Sequence, residues 1–230
     1  LNRFQDELPP NFPSKLILEA LELVLTNNVF TFGNTFWLQI TGTAMGTPCA
    51  CILAMLYFGL FKRLRLLMRY KGYLLFFKRF IDDIFAIWDL TSNPVESKKV
   101  FAYFQQELNS YGILEWKTEK LTNNVNFLDL NISITPDRKL KFKTFQKEMN
   151  LYLYIPPKSA HPPGVIKSMI FGCLRNYWHQ NSDIKDFKHI ANLLYQRLLR
   201  RGHDLQDTQQ IFLEAMKQLH KPKQLYKTPS

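Results

Sequence analysis

The feature that most constrains this chain is a pair of adjacent acids, Asp82 and Asp83, between two runs rich in aromatic and aliphatic residues. The first run covers residues 73–81 and the second covers residues 84–88. Two such runs separated by two turn-forming residues predict a β-hairpin with Asp82 and Asp83 at its tip. Adjacent carboxylates resist joint ionisation unless a cation neutralises them. The pair is therefore either a surface turn that uses Asp for its turn chemistry or a seat for paired Mg²⁺ ions.

A second informative stretch, residues 39–48, joins a predicted strand to a predicted helix through Gly42 and Gly46. Glycine permits a positive φ and lets another backbone or a sugar-phosphate approach closely. The helix that follows would offer free N–H groups and the positive end of its dipole to an anion. A tight turn over a crowded core would need the same residues, so both interpretations stay open.

The remaining patterns predict an α+β fold. Helices are expected over residues 14–26, 48–68, 95–108, 164–180, 183–201 and 205–219. Strands are expected over residues 29–32, 35–40, 114–118, 125–134, 140–144 and 151–155, in addition to the Asp-Asp hairpin. Ser14 is expected to cap the first helix, and Gly202 is expected to end the fifth.

The composition changes after residue 155, where proline pairs precede a stretch that is helical to its end. This change predicts an α+β lobe over residues 1–155 and a helical lobe over residues 156–230. The last ten residues, 221–230, are basic and are expected to be loose. The chain begins with Leu1 rather than Met, so an upstream portion is expected.

The net charge of +11 and the pI near 9.5 point to a polyanionic partner, which is nucleic acid or an anionic membrane surface. Residues 43–61 are nearly uncharged and just long enough to raise the possibility of a membrane span. Pro48 near the start of this segment and the basic residues after it favour a buried helix, and no membrane partner is expected. Three cysteines without metal-ligand spacing indicate reduced thiols of an intracellular protein.

Residues 39–46, followed about forty residues later by Phe-Ile-Asp-Asp, resemble reverse transcriptases, specifically the Penelope-like group and its protist relatives. Four further stretches look like the same group and occur in the same order. They are residues 8–13, 27–33, 126–134 and 159–163. The resemblance extends over most of the chain, and the order and spacing of the motifs make it specific.

This resemblance implies a right-hand polymerase, with an antiparallel palm sheet and packed helices followed by a helical thumb-like lobe. It implies an RNA template, a DNA primer, dNTPs and two Mg²⁺ ions. Asp82 and Asp83 match the paired catalytic acids that bind the metal, with Asp82 the firmer ligand and Phe80 in the aromatic position ahead of them. The residues that match the motif lining the incoming nucleotide and the templating base are Gln39, Gly42 and Gly46.

The chain also departs from the family pattern. The family places a third catalytic carboxylate on a strand upstream of residues 8–13, and this sequence has no such strand. Asp6 and Glu7 lie in a polar loop and are not expected to replace it, and the fingers are likewise missing. Asp129 matches a structural segment and is expected to pair with a basic residue rather than to act in catalysis. We therefore expect an inactive reverse transcriptase fragment of a retroelement, with a non-catalytic nucleic-acid-binding module as the alternative.

Basic side chains could follow a nucleic-acid backbone or be ordinary solvated surface. Lys139, Lys141 and Lys143 alternate along one strand and project from one face. The other candidates are Lys62, Arg63, Arg65, Arg69, Lys71, Lys78 and Arg79 around the hairpin, and Arg197, Arg200, Arg201 and His203 on the last helices. Lys117 and Lys120 are weaker candidates for a general acid near the leaving pyrophosphate, and His161 is expected to be structural.

Overall fold

A computed structural model of the chain describes residues 6–44, 46–90 and 93–219, so the predicted loose tail lies outside the described residues. The α+β class is confirmed, with small antiparallel sheets and helices. The chain divides into two compact units, which we call the N-terminal unit, up to Thr118, and the C-terminal unit, from Glu119. The functional division expected after residue 155 stays a prediction.

The N-terminal unit begins with helix α1, Ser14–Thr26, and a hairpin of strands β1, Val29–Phe32, and β2, Thr35–Leu38. The predicted Gly33-Asn34 turn is confirmed, with Gly33 at a φ of +60°. Ser14 is not the cap, because it is already helical and the carbonyl of Pro13 accepts from the N–H of Ile17 at 3.0 Å. Strands β1 and β2 are exposed along their whole length, and α1 buries no residue.

The predicted long helix is one helical run with an irregular middle. It consists of α2, Ala50–Phe61, a π-helical turn, Lys62–Leu66, and α3, Leu67–Arg69. Buried Phe61 and Leu66 are five residues apart, which is the repeat of a π-turn rather than of an α-helix. The extra residue in the π-turn places Leu66 on the buried side of the helical run, in line with Phe61, while Arg65 stays exposed.

The hairpin of β3, Leu74–Phe80, and β4, Asp83–Trp88, packs on this helical run together with α4, Pro94–Leu108. Asn93 caps α4 by accepting from the N–H of Glu96 at 3.2 Å. The core of the unit is aromatic and aliphatic, and its buried members are Phe58, Phe61, Leu66, Tyr70, Phe104 and Leu108. This core fixes the inner face of the hairpin.

Residues 114–118 were expected to form a strand, and the structure shows an irregular extended segment instead. The N–H of Trp116 bonds the side-chain oxygen of Asn109, just after α4, so it does not contribute to a ladder. A side chain at the end of a helix thus replaces the strand partner that the prediction required.

The C-terminal unit contains a three-stranded antiparallel sheet of β5, Asn124–Phe127, β6, Leu130–Ile134, and β7, Leu140–Thr144. The single strand expected over residues 125–134 is therefore two strands, because Leu128 takes a φ of +53° and turns the chain. Residues 151–155 were also expected to be a strand, and they are irregular, with Tyr152 at a φ of +49°.

The last three helices are confirmed as α5, Val165–Gln180, α6, Ile184–Arg200, and α7, Leu205–Leu219. Gly202 ends α6 as predicted, at a φ of +93°. The N–H of Gly202 bonds the carbonyl of Leu199, and the N–H of His203 bonds that of Leu198, which is a Schellman motif. The core of this unit is buried between the helices and includes Ile170, Leu174, Phe187, Leu194 and Leu198.

Candidate functional site

The hairpin that carries the two acids is confirmed, and its turn differs by one residue from the prediction. Phe80 pairs with Asp83 in the ladder, so the two turn residues are Ile81 and Asp82. Ile81 has a φ of +49°, whereas Asp82 is not among the residues with a positive φ. Type II′ turns share this pattern, and they favour glycine at the first central position. A β-branched residue there is strained, and strained turns are concentrated at functional sites.

The two faces of the hairpin have different environments because side chains alternate along a strand. Phe77 and Ile84 lie on the inner face, partly buried against the core. Phe80 and Asp83 lie opposite each other on the outer face, where Phe80 is 57% exposed and Asp83 is exposed. Both carboxylates of the acidic pair are thus accessible to a ligand.

Arg79 connects the tip of the hairpin to helix α2. Its Nη1 donates to the carbonyl of Ile81 at 3.0 Å, and its Nη2 donates to the carbonyl of Met55 at 2.9 Å. Both Nη atoms lie 3.3 Å from the carbonyl oxygen of Ala54, and the guanidinium lies 5.1 Å from the ring centre of Phe58. Burial lowers the pKa of Arg79. The guanidinium is thus committed to protein carbonyls, although its binding to a nucleic-acid backbone stays a prediction.

If Asp82 and Asp83 bind a metal ion, two exposed carboxylates would suit a hydrated Mg²⁺ better than an ion enclosed by protein ligands. Mg²⁺ is commonly held by one or two carboxylates and completes its shell with water and substrate phosphates. Within the described residues, no basic side chain pairs with either carboxylate, and no group of three or more His, Cys, Asp and Glu could hold a metal ion. The donor set therefore suits one ion shared with a phosphate-bearing ligand.

The glycine-bearing loop has the backbone conformation that its sequence predicted. Gly42 has a φ of +78° and Gly46 a φ of +92°. Gln39 folds back over the loop, and its Nε2 donates to the carbonyl of Thr41 at 2.9 Å. A Cβ at Gly42 would lie 3.6 Å from that same Nε2. The structure thus brings Gln39 and Gly42 together. Among the described residues, no hydrogen bond joins this glycine-bearing loop to the tip of the β3–β4 hairpin.

Two cationic side chains lie at the hairpin, and a third lies on the π-helical turn. Lys62 lies 5.8 Å from the ring centre of Phe77, and burial together with the charges of Arg79 and Lys78 lowers its pKa. Lys78 is exposed on the outer face, in register with Phe85. Arg63 is exposed on the π-helical turn. Lys62, Arg63 and Lys78 form no ion pair with an acid within the described residues, and the same is true of Lys71, Arg79 and Arg200.

A buried acid, Glu107, was missed by sequence reasoning. It accepts from Arg65 Nε at 2.7 Å and from Tyr70 Oη at 2.8 Å, and it lies 3.0 Å from Arg69 Nη1. Burial alone would raise the pKa of Glu107, but these hydrogen bonds and charges outweigh it and lower the pKa. The burial of Glu107 has one signal in the sequence: it follows Phe104 by three residues and so lies on the same face of the helix. Arg65 therefore has a structural partner beside its predicted role in nucleic-acid binding.

The lysines of β7 are also paired with acids. Lys143 lies 3.1 Å from Asp186, and Lys141 lies 3.8 Å from Asp186 and from Asp183. Asp183 caps α6 and Asp186 lies in its first turn, so these acids are fixed in place. Lys139 pairs with Asp137 at 2.8 Å. The acids offset the charge of the lysine row, and its contact with a phosphate backbone stays a prediction.

Several residues of the C-terminal unit hold the irregular segment before α5. Arg197 donates to Gln146 at 2.9 Å and lies 4.0 Å from the ring centre of Tyr152. Arg201 and His203 bond the carbonyls of Tyr154 and Ile155, respectively. Arg200 remains exposed. These contacts give Arg197, Arg201 and His203 structural roles.

The remaining candidate residues of the sequence occupy turns or irregular chain. His161 bonds the neighbouring hydroxyl of Ser159, and no described acid or cysteine joins it in a metal-binding group. Asp129 lies in the turn between β5 and β6, and the ion pair expected for it is not found among the described residues. Lys117 and Lys120 are exposed in irregular chain.

An open groove of about 680 Å³ lies between α5 and α7. Its lining includes Lys167, Phe171, Arg175 and His179, which follow one another at four-residue spacing on one side of α5. Lys167 pairs with Glu214 across the groove. The four-residue spacing is visible in the sequence, but it does not show that α7 completes a groove.

Comparisons of the chain with family models, with curated proteins and with solved structures found no match. No helix in the described part of the chain combines the length and apolar character that a bilayer crossing requires. The segment that raised this possibility, residues 43–61, is followed directly by the basic π-helical turn.

Proposed function

We propose that the β3–β4 hairpin is the metal-binding hairpin of an RNA-directed DNA polymerase, in a palm followed by a thumb-like helical lobe. The observation that carries the proposal is the tip itself. Asp82 lies in a strained two-residue turn, Asp83 follows as the first residue of β4, and Arg79 bonds the tip to α2. Both carboxylates are exposed, as a substrate-sharing metal site requires.

In this proposal, Asp82 and Asp83 hold Mg²⁺ and orient it toward the phosphates of an incoming dNTP. The bound ion would stabilise the charge that develops during phosphoryl transfer. Phe80, exposed on the same face as Asp83, offers an apolar surface to the sugar or base beside it. Gln39, Gly42 and Gly46 form the loop against which the nucleotide and the templating base would lie.

Each unit by itself presents cationic side chains that would contact the phosphates of a template or primer. Lys62 and Lys78 lie at the hairpin and Arg63 lies on the π-helical turn, each without an acidic partner in the described residues. The groove between α5 and α7 presents Arg175 on the proposed thumb-like lobe, beside His179 and beside Lys167, whose charge is offset by Glu214. Contacts of this kind are made to phosphates and are independent of sequence.

We expect the 230-residue chain to bind its substrates without extending a primer. Two-metal catalysis needs a further bridging carboxylate, and the described residues place none beside Asp82 and Asp83. The same observation favours the second candidate, a nucleic-acid-binding module that shares the fold but performs no chemistry.

The test is primer extension on an RNA template with Mg²⁺, comparing this chain with an Asp82→Ala, Asp83→Ala double variant. We expect no extension by either chain and salt-sensitive binding of an RNA–DNA duplex by both. Extension by the unmodified chain alone would show that another carboxylate completes the site. Absence of both extension and duplex binding would contradict the proposal and its alternative together.

Mn²⁺ binding separates the two candidates. If Mn²⁺ broadens the NMR signals of Asp82 and Asp83 in the unmodified chain, the polymerase proposal is supported. If duplex binding is found and Mn²⁺ leaves those signals unchanged, the binding module is the better description.

A further inference from the structure

Arg79 is the described side chain that bonds both the hairpin tip and the helix beneath it. It lies on the inner face of β3, three residues before Asp82. Its Nη1 donates to the carbonyls of Ile81 and Ala54, and its Nη2 donates to those of Ala54 and Met55. A planar guanidinium can make these contacts simultaneously, since its donors point in fixed directions.

The contacts with α2 hold the guanidinium firmly. A carbonyl oxygen has two lone pairs, so those of Ala54 and Met55 can accept from Arg79 in addition to a helical N–H. Such bonds are charge-assisted and stronger than neutral ones. The Phe58 ring beneath, itself fully buried, adds a cation–π contact at 5.1 Å. The helix thus provides a rigid base for the side chain.

The contact with the tip acts on the peptide that leads into Asp82. The carbonyl of Ile81 belongs to the peptide between Ile81 and Asp82, and Ile81 has a φ of +49°. A β-branched residue in this region keeps its conformation only where the surroundings enforce it. The bond from Arg79 restrains the plane of that peptide, and this plane contains the N and Cα atoms of Asp82, from which its side chain extends.

We propose that Arg79 is a positioning residue, which holds the strained Ile81–Asp82 peptide against α2 and so presents the carboxylate of Asp82 to a divalent cation in a fixed direction. This inference rests on the proposed function only for the identity of the ligand, a divalent cation. The effect of Arg79 on the tip is a property of the fold and can be measured without metal.

The experiment uses the whole chain labelled with ¹⁵N-aspartate, with the amide signals of Asp82 and Asp83 assigned by Asp82→Asn and Asp83→Asn substitution. The variants are Arg79→Met and Arg79→Lys. The matched control is Phe77→Leu, because Phe77 lies on the same inner face and packs on the same core without bonding the tip. Thermal unfolding is recorded for every variant.

We expect Arg79→Met to shift the amide signals of Asp82 and Asp83, and Phe77→Leu to lower the Tm while leaving both signals in place. Arg79→Lys should shift them in the same direction by less, since an ammonium can replace only part of the fork. Mn²⁺ affinity should fall by about 10- to 100-fold in Arg79→Met, the range found when outer-shell partners of metal ligands are removed.

An unshifted Asp82 signal in Arg79→Met would overturn the inference, and so would an equal shift in Phe77→Leu. If Arg79→Met does not fold, the Arg79→Lys chain decides in the same way. If Mn²⁺ does not bind the unmodified chain, the proposed function fails, while the amide signals still decide whether Arg79 positions the tip.

Discussion

The carboxylate of Glu107 is the polar group on which the N-terminal unit most depends. It joins α4 to the helical run through Arg65, Arg69 and Tyr70. Tyr70 is affected in return, because burial and its hydrogen bond to Glu107 raise its pKa to about 12. The acid thus accepts a hydrogen bond from one phenol and holds two cations beside an aromatic core.

Glu107→Gln should destabilise the fold by about 1–3 kcal/mol, because a charged acceptor is lost while its donors remain. The cost should stay in this range because the side chains of Arg65 and Arg69 are 61% exposed and can be rehydrated. Urea unfolding at pH 7 measures it. Glu22→Gln, at an exposed position on α1, is the control and should change stability by less than about 0.5 kcal/mol.

The wild-type chain and the Glu107→Gln variant also give a prediction for the pH dependence of stability. The pKa of Glu107 is lower in the folded state, so its stabilising effect is present above the unfolded pKa of about 4.3 and is lost as the pH falls through the folded pKa. The stability difference between wild type and Glu107→Gln should be constant near neutrality and shrink below about pH 4.3. A difference that grows on acidification would contradict this assignment.

Gly112 is a second sensitive position, because its φ of +63° favours glycine and a Cβ there would overlap Tyr57 Oη. Tyr57 is 45% exposed and can swing away, so most of the cost comes from the backbone. Gly112→Ala should destabilise by about 1–2 kcal/mol, as measured by urea unfolding. Gly59→Ala, in α2 with open space around it, should instead stabilise by about 0.5–1 kcal/mol.

At the scale of elements, the π-helical turn determines which side chains of the helical run reach the core. Removing one residue from it would place Phe61 and Leu66 four apart, which is regular α-helical spacing on the same face. Deletion of Leu64 should therefore leave a folded chain that keeps the Glu107 contacts. Deletion of Leu60, between buried Phe58 and Phe61, should abolish cooperative unfolding. Circular dichroism during heating compares the two.

Prediction from sequence worked best where one local pattern decides an element. The helices α4 to α7 and the position of the Asp-Asp hairpin follow from periodicity and from their flanking residues. The turn register did not, because Asp tolerates a positive φ better than a β-branched residue, yet the structure gives that φ to Ile81. Arg79 bonds the carbonyl of Ile81 and also those of Ala54 and Met55, about 25 residues earlier in the chain, and local preferences do not contain such long-range contacts.

The pairing of the candidate cations could not be predicted for a related reason. Alternation correctly placed Lys141 and Lys143 on one face of β7. Their partners, Asp183 and Asp186, follow some forty residues later and meet them only through the packing of α6 on the sheet. Glu107 and Arg65 are a similar long-range pair. Sequence therefore identified basic faces but not which charges are offset.

At the scale of the whole molecule, this difference between paired and unpaired lysines can be measured by salt titration. The affinity for an RNA–DNA duplex should fall with salt, and each phosphate contact removed should reduce the slope of log affinity against log salt by about 1. Lys62→Met with Lys78→Met should reduce it by about 2. The double variant Lys141→Met, Lys143→Met should reduce this slope by less, because both lysines are already paired with acids. Equal reductions would contradict this distinction.

The β1–β2 hairpin has a consequence for how parts of the protein open over time. A two-stranded ribbon exposed on both faces gains almost no packing free energy, and such hairpins are marginal on their own. Its amide hydrogens should exchange with deuterium almost as fast as those of a free peptide. Those of α6 around buried Leu194 and Leu198 should exchange only when the whole unit unfolds, so one chain would span nearly the full range of protection.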